Sequence, residues 1–404
     1  MTDLAIVNAM VVLDDQILDG GAVIVSEGRI AEVRDSSAFR CGALMDEFDA
    51  HGAYLIPGLV DLHNDGLEIE VRPRPHAELP LDLAFPTAER RLVGAGVTTE
   101  FHAISFLDQK KSNRTVNQAA QRARYIAQQQ AAGGGAVQHH VLHRIDVWSP
   151  DYLDEVFASI DRLSVGYLSI NDHTPGQGQF RDLEKYLELQ YAYAATGGYA
   201  EPNLDEIQSL IADRSAETDE LGQVYQRIAT AARDKGIIIA SHDDDAVEKV
   251  NLMYALGARI AEFPVTMEAA RRARELGMAI VVGAPNIVRG GSQSGNLDAQ
   301  AMFAAGLADI ICADYHAPSL LPSAFRLVDD GVLDLPTAIR AVTGNPARAL
   351  GMDDRGVIRP GTLADLNLVR RWPSGIPQVE ATFRRGQPVY RFARVSAPVG
   401  AFVA

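Results

Sequence analysis

Residues 55–70 read LIPGLVDLHNDGLEIE: an apolar run, a Pro57-Gly58 turn signal, a second apolar run, and then His63 and Asp65 two positions apart. Side chains on a strand alternate between faces, so positions 63 and 65 aim the same way, about 7 Å apart along the backbone. An imidazole and a carboxylate placed together at the end of a buried strand suit a shared metal ion. They equally suit a simple hydrogen-bonded pair, and only the rest of the chain separates the two readings.

From about Pro57 to Leu350, short apolar runs alternate with helical stretches. Eight candidate strands follow in order: LIPGLVDLH, VTTEFHAIS, VQHHVLHRIDV, SVGYLSIND, GIIIASHD, ARIAEFPV, MAIVVGAPN and ADIICAD. Between them lie helical segments such as TVNQAAQRARYIAQQQAAG, LGQVYQRIATAARDKG and TMEAARRARELG, the last two closing on the basic-then-Gly ending of helix C-termini. Eight β/α units of this length predict an α/β fold of the TIM (β/α)8 barrel type over 56–350, with a lid-like insertion near 172–225. An open doubly wound sheet is the alternative, but no GxGxxG follows a first strand. The two ends of the chain, 1–55 and 351–404, alternate in short bursts punctuated by turn residues and predict one small β-sandwich domain built from both termini.

In a barrel, reactive groups sit at the carboxyl ends of the strands. Strand one ends with His63 and Asp65, strand three with Asp146, strand four with Asp172 and His173, strand five with His242 and three aspartates, strand eight with Asp314. Repetition after unrelated strands favours a metal centre, and imidazole with carboxylate suits zinc, manganese or iron. Of Asp243, Asp244 and Asp245, at least two are read as loop or cap residues, and Glu262 as a weaker ligand candidate. His102 and His143 are read as packing residues or as supports behind the ligands, and His139 and His140, early in strand three and away from the catalytic end, as not ligands.

The composition is that of a soluble globular chain, and the formal charge of −16 disfavours nonspecific nucleic-acid binding. Two distant cysteines, Cys41 and Cys312, form no CxxC and fit a reducing cytosol. No export leader or membrane span is expected, so the reading is cytoplasmic with no membrane partner. A homodimer is the expectation for a barrel of this kind.

With PGLVDLH leading into a strand-one metal motif, an aspartate after strand eight and a returning GVIRPGTLADLNLV, the chain resembles the amidohydrolase superfamily. Within it, HNDGLE with RPRP, DHTPGQGQF, ASHDDD, AEFPVT, GAPNIVRGGSQSGN and the run from ADY to SLLPSAFR are similar to the phosphonate-metabolism diphosphatases of the carbon–phosphorus lyase pathway, which act on α-D-ribose 1-methylphosphonate 5-triphosphate. The chain departs from that pattern at Asn64, Gly66, Asp146 and His316. The resemblance implies a metal-dependent hydrolase with two divalent ions, zinc foremost, held by His63, Asp65, His173 and His242, with Asp146 as bridge. Asp314 would touch a metal and take the proton of attacking water, and a small phosphorylated substrate would be cleaved to a 5-phosphate and pyrophosphate. Arg72 and Arg74 after strand one, and Arg289, Ser292 and Ser294 after strand seven, are the residues expected to hold its phosphates. Two other functions remain open at this point: hydrolysis of a C–N bond in a cyclic amide or N-acyl amino acid, and a noncatalytic scaffold on the same fold.

Overall fold

The computed structural model describes residues 3–38, 45–74, 77–108, 114–195, 201–216, 218–292 and 296–392. Ser294, Cys41 and the terminal run 393–404 lie outside the described residues.

All eight expected strands are present and parallel: Leu59–Asn64, Val97–Phe106, Gln138–Asp146, Tyr167–Asn171, Ile238–His242, Ala258–Glu262, Ala279–Gly283 and Ile310–Cys312, paired in chain order. We number them one to eight. The ring is completed between strands eight and one by a parallel bridge from Asn64 to Asp314, by Asp314 N–H donating to His63 O at 2.9 Å and by Asp65 N–H donating to Asp314 O at 2.6 Å. Lower on the same seam, the Asp61 carboxylate accepts from the Ala313 and His63 amides. The seam that closes the barrel therefore runs through the residues singled out as reactive.

Inside the barrel, Val60, Leu62, Phe101, Leu142, Tyr167, Ala240, Ile260, Val281, Ile310 and Cys312 form a dry core, closed below by Ala347, Leu350 and Met352. A larger apolar layer joins the strands to the surrounding helices. The strands read as unbroken apolar runs because both faces are buried. The helices stop where their end signals predict: Val116–Ala132 starts on a Thr115/Gln118 capping box, while Thr218–Lys235 and Met267–Glu275 are followed within two residues by Gly236 and Gly277.

The second sheet gathers strands from both ends: Asp3–Val12, Ile17–Ser26, Arg29–Asp35, Met45–Asp49, Tyr54–Pro57, Leu366–Arg371, Pro377–Arg384 and Gln387–Arg391. It curls on itself, with the 26–29 turn against the 384–387 turn: a Cβ on Gly386 would lie 2.6 Å from Val25. Leu4, Ile6, Val11, Val23, Leu55, Leu366 and Phe383 fill the space between its halves. Its pairings are not all antiparallel, because Met45–Asp49 and Tyr54–Pro57 run alongside the first strand in the same direction.

The opening stretch itself divides. Tyr54–Pro57 belongs to the terminal sheet and Leu59–Asn64 to the barrel, with Gly58 between them. A side chain at 58 would collide with Thr98 of strand two, so the crossing point tolerates only glycine.

Candidate active site

Three chain reversals shape the mouth of the barrel. Asp243, Phe263 and Asp314, just past strands five, six and eight, all adopt left-handed backbone at φ 53°, 54° and 57°. Each conformation costs a non-glycine residue about 1–3 kcal/mol. Their amides carry the ladder one step further, Asp243 N–H to Glu262 O, Phe263 N–H to Val281 O and Asp314 N–H to His63 O. The backbone is thus redirected immediately after His242 and Glu262, leaving those side chains at the rim.

Glu262 is the hub. Its carboxylate accepts from Tyr167 Oη at 3.0 Å and Ser169 Oγ at 2.7 Å, and meets Nδ1 of both His63 and His242 at 3.1 Å. The two rings stack at 5.5 Å between centroids. Burial would raise Glu262, yet the two imidazoles hold it well below the usual carboxylate range. Burial, the largest single influence, would lower His63, but the Glu262 charge and hydrogen bond together outweigh it and raise the ring. A carboxylate on Nδ1 fixes the tautomer and leaves Nε2 as the lone-pair nitrogen, the arrangement found behind metal-binding histidines.

Of the residues singled out in the sequence, His63, Asp65, His242, Asp314, Arg289 and Ser292 line one cleft of about 1070 Å3, part of it open to solvent. Two donor groups at the barrel mouth among the described residues could hold a cation, His63 with His242 and Glu262, and His173 with His242 and Asp243; the donor atoms within each lie within 4.8 Å of one another. His173 meets His242 edge to face at 6.0 Å, and burial, then the Arg144 charge, keeps its ring neutral. Asp314 is pushed up to about 7 by burial and then by Asp65. Gly283 at the end of strand seven makes room for it: a Cβ there would stand 3.3 Å from Asp314 Oδ2.

Other residues fall elsewhere. Asp146 turns back to accept from Trp148 N–H at 2.9 Å and is in neither donor group; burial raises it. Asp172 anchors its own loop, accepting from Trp148 Nε1, Thr174 and Gln177. Asp244 takes the Ser241 hydroxyl and Asp245 the Gly178 amide, so of the three aspartates only Asp243 faces the cleft. Arg72 lies 3.9 Å from Glu78, Arg74 forms a backbone bridge with Ala77, and neither lines the cleft.

One residue that the sequence reading passed over stands at the centre. Arg144, in the middle of HRID on strand three, donates to Asp65 Oδ1 at 3.2 Å and Asn171 Oδ1 at 3.2 Å, and comes to 3.5 Å from His242 Nε2. Strand alternation put 144 and 146 on one face, which was the available signal. The cleft also gathers amide side chains from Gln179, Asn286 and Asn296 beside Arg289.

A barrel closed through His63 and Asp314, with imidazoles and carboxylates at its carboxyl-end mouth, is the layout of a metal-dependent hydrolase. A family model described as Amidohydrolase family matches residues 211–390. The chain is 35% identical over 386 residues to alpha-D-ribose 1-methylphosphonate 5-triphosphate diphosphatase of Escherichia coli, covering 95% of this chain and 99% of that one. Among solved structures, an enamidase superposes with a TM-score of 0.64 at 15% identity, covering 99% of this chain and 98% of its own. N-acetylglucosamine-6-phosphate deacetylase from Pasteurella multocida superposes at 0.61 and 13% identity, covering 96% and 99%. The chain belongs to the amidohydrolase superfamily and is a hydrolase. No helix among the described residues is long and apolar enough to cross a membrane.

Proposed function

We propose that the protein hydrolyses α-D-ribose 1-methylphosphonate 5-triphosphate to the 5-phosphate and pyrophosphate in phosphonate catabolism, with a divalent cation as cofactor, in the cytoplasm. The observation that carries this reading is the 35% identity running almost end to end along both this chain and the diphosphatase. The donor set supports a cation: two imidazoles aligned through Glu262, a third at His173, and the carboxylate of Asp243 suit zinc, with manganese or iron as alternatives. A divalent ion held by these donors supplies Lewis acidity, lowering the pKa of water and offsetting charge on phosphoryl oxygens.

The chain's own groups do the rest. Asp314, half-buried at the cleft and able to exchange a proton near neutrality, takes a proton from the attacking water. Attack at the α-phosphorus breaks its bond to the α–β bridging oxygen, and pyrophosphate leaves with the electron pair. Arg289, next to Tyr315 Oη at 3.5 Å, and the amides of Asn286, Asn296 and Gln179 face the polyphosphate. The 174–180 loop helps cover the cleft, bonded through Gly178 to Asp245 and through the Gln179 carbonyl to Asn296, and we assign the 172–225 insertion a lid role.

Phosphorus NMR of the reaction in 18O-labelled water tests the reading. The expected products are pyrophosphate and a 5-phosphate carrying the label. Label in the pyrophosphate would overturn the α-attack assignment, and an intact triphosphate together with cleavage of cyclic or N-acyl amides would overturn the substrate class.

A further inference from the structure

We propose that Arg144 is a built-in cation occupying the place of a second metal ion, so that the centre takes one divalent ion per chain. The inference rests on the metal-dependent reading above and deepens it. His242 has one lone-pair nitrogen, because Nδ1 is engaged by Glu262, and that remaining Nε2 faces the Arg144 guanidinium at 3.5 Å and Asp243 Oδ2 at 3.4 Å. On the Arg144 side, the acceptors a second ion would draw on are already taken: Asp65 Oδ1 and Asn171 Oδ1 each receive a guanidinium N–H at 3.2 Å. Asn171 is held in that orientation by its own amide, which donates to Ser169 O at 2.9 Å.

The guanidinium cannot shed its charge as a lysine or histidine can. Its side chain is only 14% exposed, and moving it out would strand the Asp65 carboxylate beside Asp314. A second ion therefore has to displace a buried, fixed cation from two oxygen partners, and the position next to Asp65 stays closed to it. Neither His173 nor Asp243 is hydrogen-bonded to the guanidinium among the described residues, and with His242 they form a donor group for the one ion, which His63 flanks through the shared Glu262. The arrangement keeps two cationic centres against the polyphosphate while requiring a single metal. Among the described residues the buried Arg144 Nε has no hydrogen-bond partner.

Equilibrium dialysis of the full chain against excess Zn2+, followed by elemental analysis, reads the stoichiometry directly. The wild type is expected to saturate at one ion per chain and Arg144→Met at two, with Arg144→Lys close to one. Circular dichroism and thermal melting of Arg144→Met establish that the variant is folded, and Arg144→Gln serves if it is not. Two ions in the wild type, or one ion in both wild type and folded Arg144 variants, would overturn the proposal. Failure of the substrate reading leaves a different trace: one ion in the wild type and two in the variant, with no pyrophosphate formed.

Discussion

His63 and His242 share one carboxylate at the barrel mouth, whereas His102, His139, His140 and His143 sit in the wall formed by strands two and three. The two sets are equally buried, but their neighbours differ. At the mouth, Glu262 raises His63 against the effect of burial and aims both rings at a cleft. In the wall, burial wins: His143 is driven down to about 4 and His140 to about 3, while His102 falls well below its usual range. Those rings act as neutral packing pieces. His143 bonds Ser159 Oγ at 3.0 Å and stacks on Phe106, and His102 bonds His139 at 2.9 Å. A histidine's role here follows from its position along the strand and from whether an anion stands behind it.

The largest effect that could break this contrast comes from Asp314, the acid of the mouth. Asp314→Asn removes the only proton acceptor assigned to attacking water, and turnover measured by pyrophosphate release should fall about 10^2- to 10^4-fold. A loss below tenfold would mean that another group takes the proton.

The next test acts on both regions. Glu262→Gln keeps the shape but removes the charge and turns one of the two oxygens that accept from four partners into an NH2 donor, and Zn2+ affinity by equilibrium dialysis should weaken about 10- to 100-fold. His143→Phe, in the wall, should leave Zn2+ affinity unchanged and cost about 1–3 kcal/mol of stability through the orphaned Ser159 hydroxyl, read by denaturant unfolding. Equal Zn2+ loss in the two variants would erase the distinction between mouth and wall. Smaller again, Arg289→Ala should raise KM for the triphosphate about tenfold with no change in bound metal, since the side chain is exposed at the cleft and contacts only Tyr315 Oη among the described residues. A matching loss of metal would place Arg289 in the ion site instead.

The eight barrel strands were legible because burial on both faces writes each as a continuous apolar run, and the wall histidines because they fall early in or within strands. The split of residues 54–64 between two sheets was not, since nothing in one run of apolar residues shows the collision with Thr98 that puts Gly58 at the crossing. Glu262 stood out only weakly because its meaning lies in partners 20 and 199 residues away. Arg144 was invisible for a related reason: a cation in an apolar strand gains its role from Asp65 and Asn171, which only folding brings to it. Alternation puts positions 144 and 146 on one face of the strand, but side-chain length decides between them. The long guanidinium reaches the centre, while the shorter Asp146 turns onto its own turn amide.

The smallest expected effect separates two carboxyls with the same displaced acidity. Asp61, below the mouth on the closing seam, is pushed up to about 7 by burial, as Asp314 is, but it does not line the cleft at the mouth. Its neighbour Glu100 is raised as well, by burial and then by the Asp61 charge, and both Glu100 oxygens are buried without a hydrogen-bond partner among the described residues. In the folded chain Asp61 holds its proton to about 7, whereas in the unfolded chain it releases it near 3.8. Between those values the unfolded state binds fewer protons, so stability falls as pH rises across the window and levels off above it. Glu100, raised in the same direction, adds its own share to that decline, and Glu100→Gln removes that share and flattens the curve. The melting temperature between pH 5 and 8 should therefore drop less in Glu100→Gln than in the wild type, by about 1–3 °C. A steeper decline in the variant would mean that Glu100 stabilises the protonated seam, and that the wall, like the mouth, depends on its acids for more than packing.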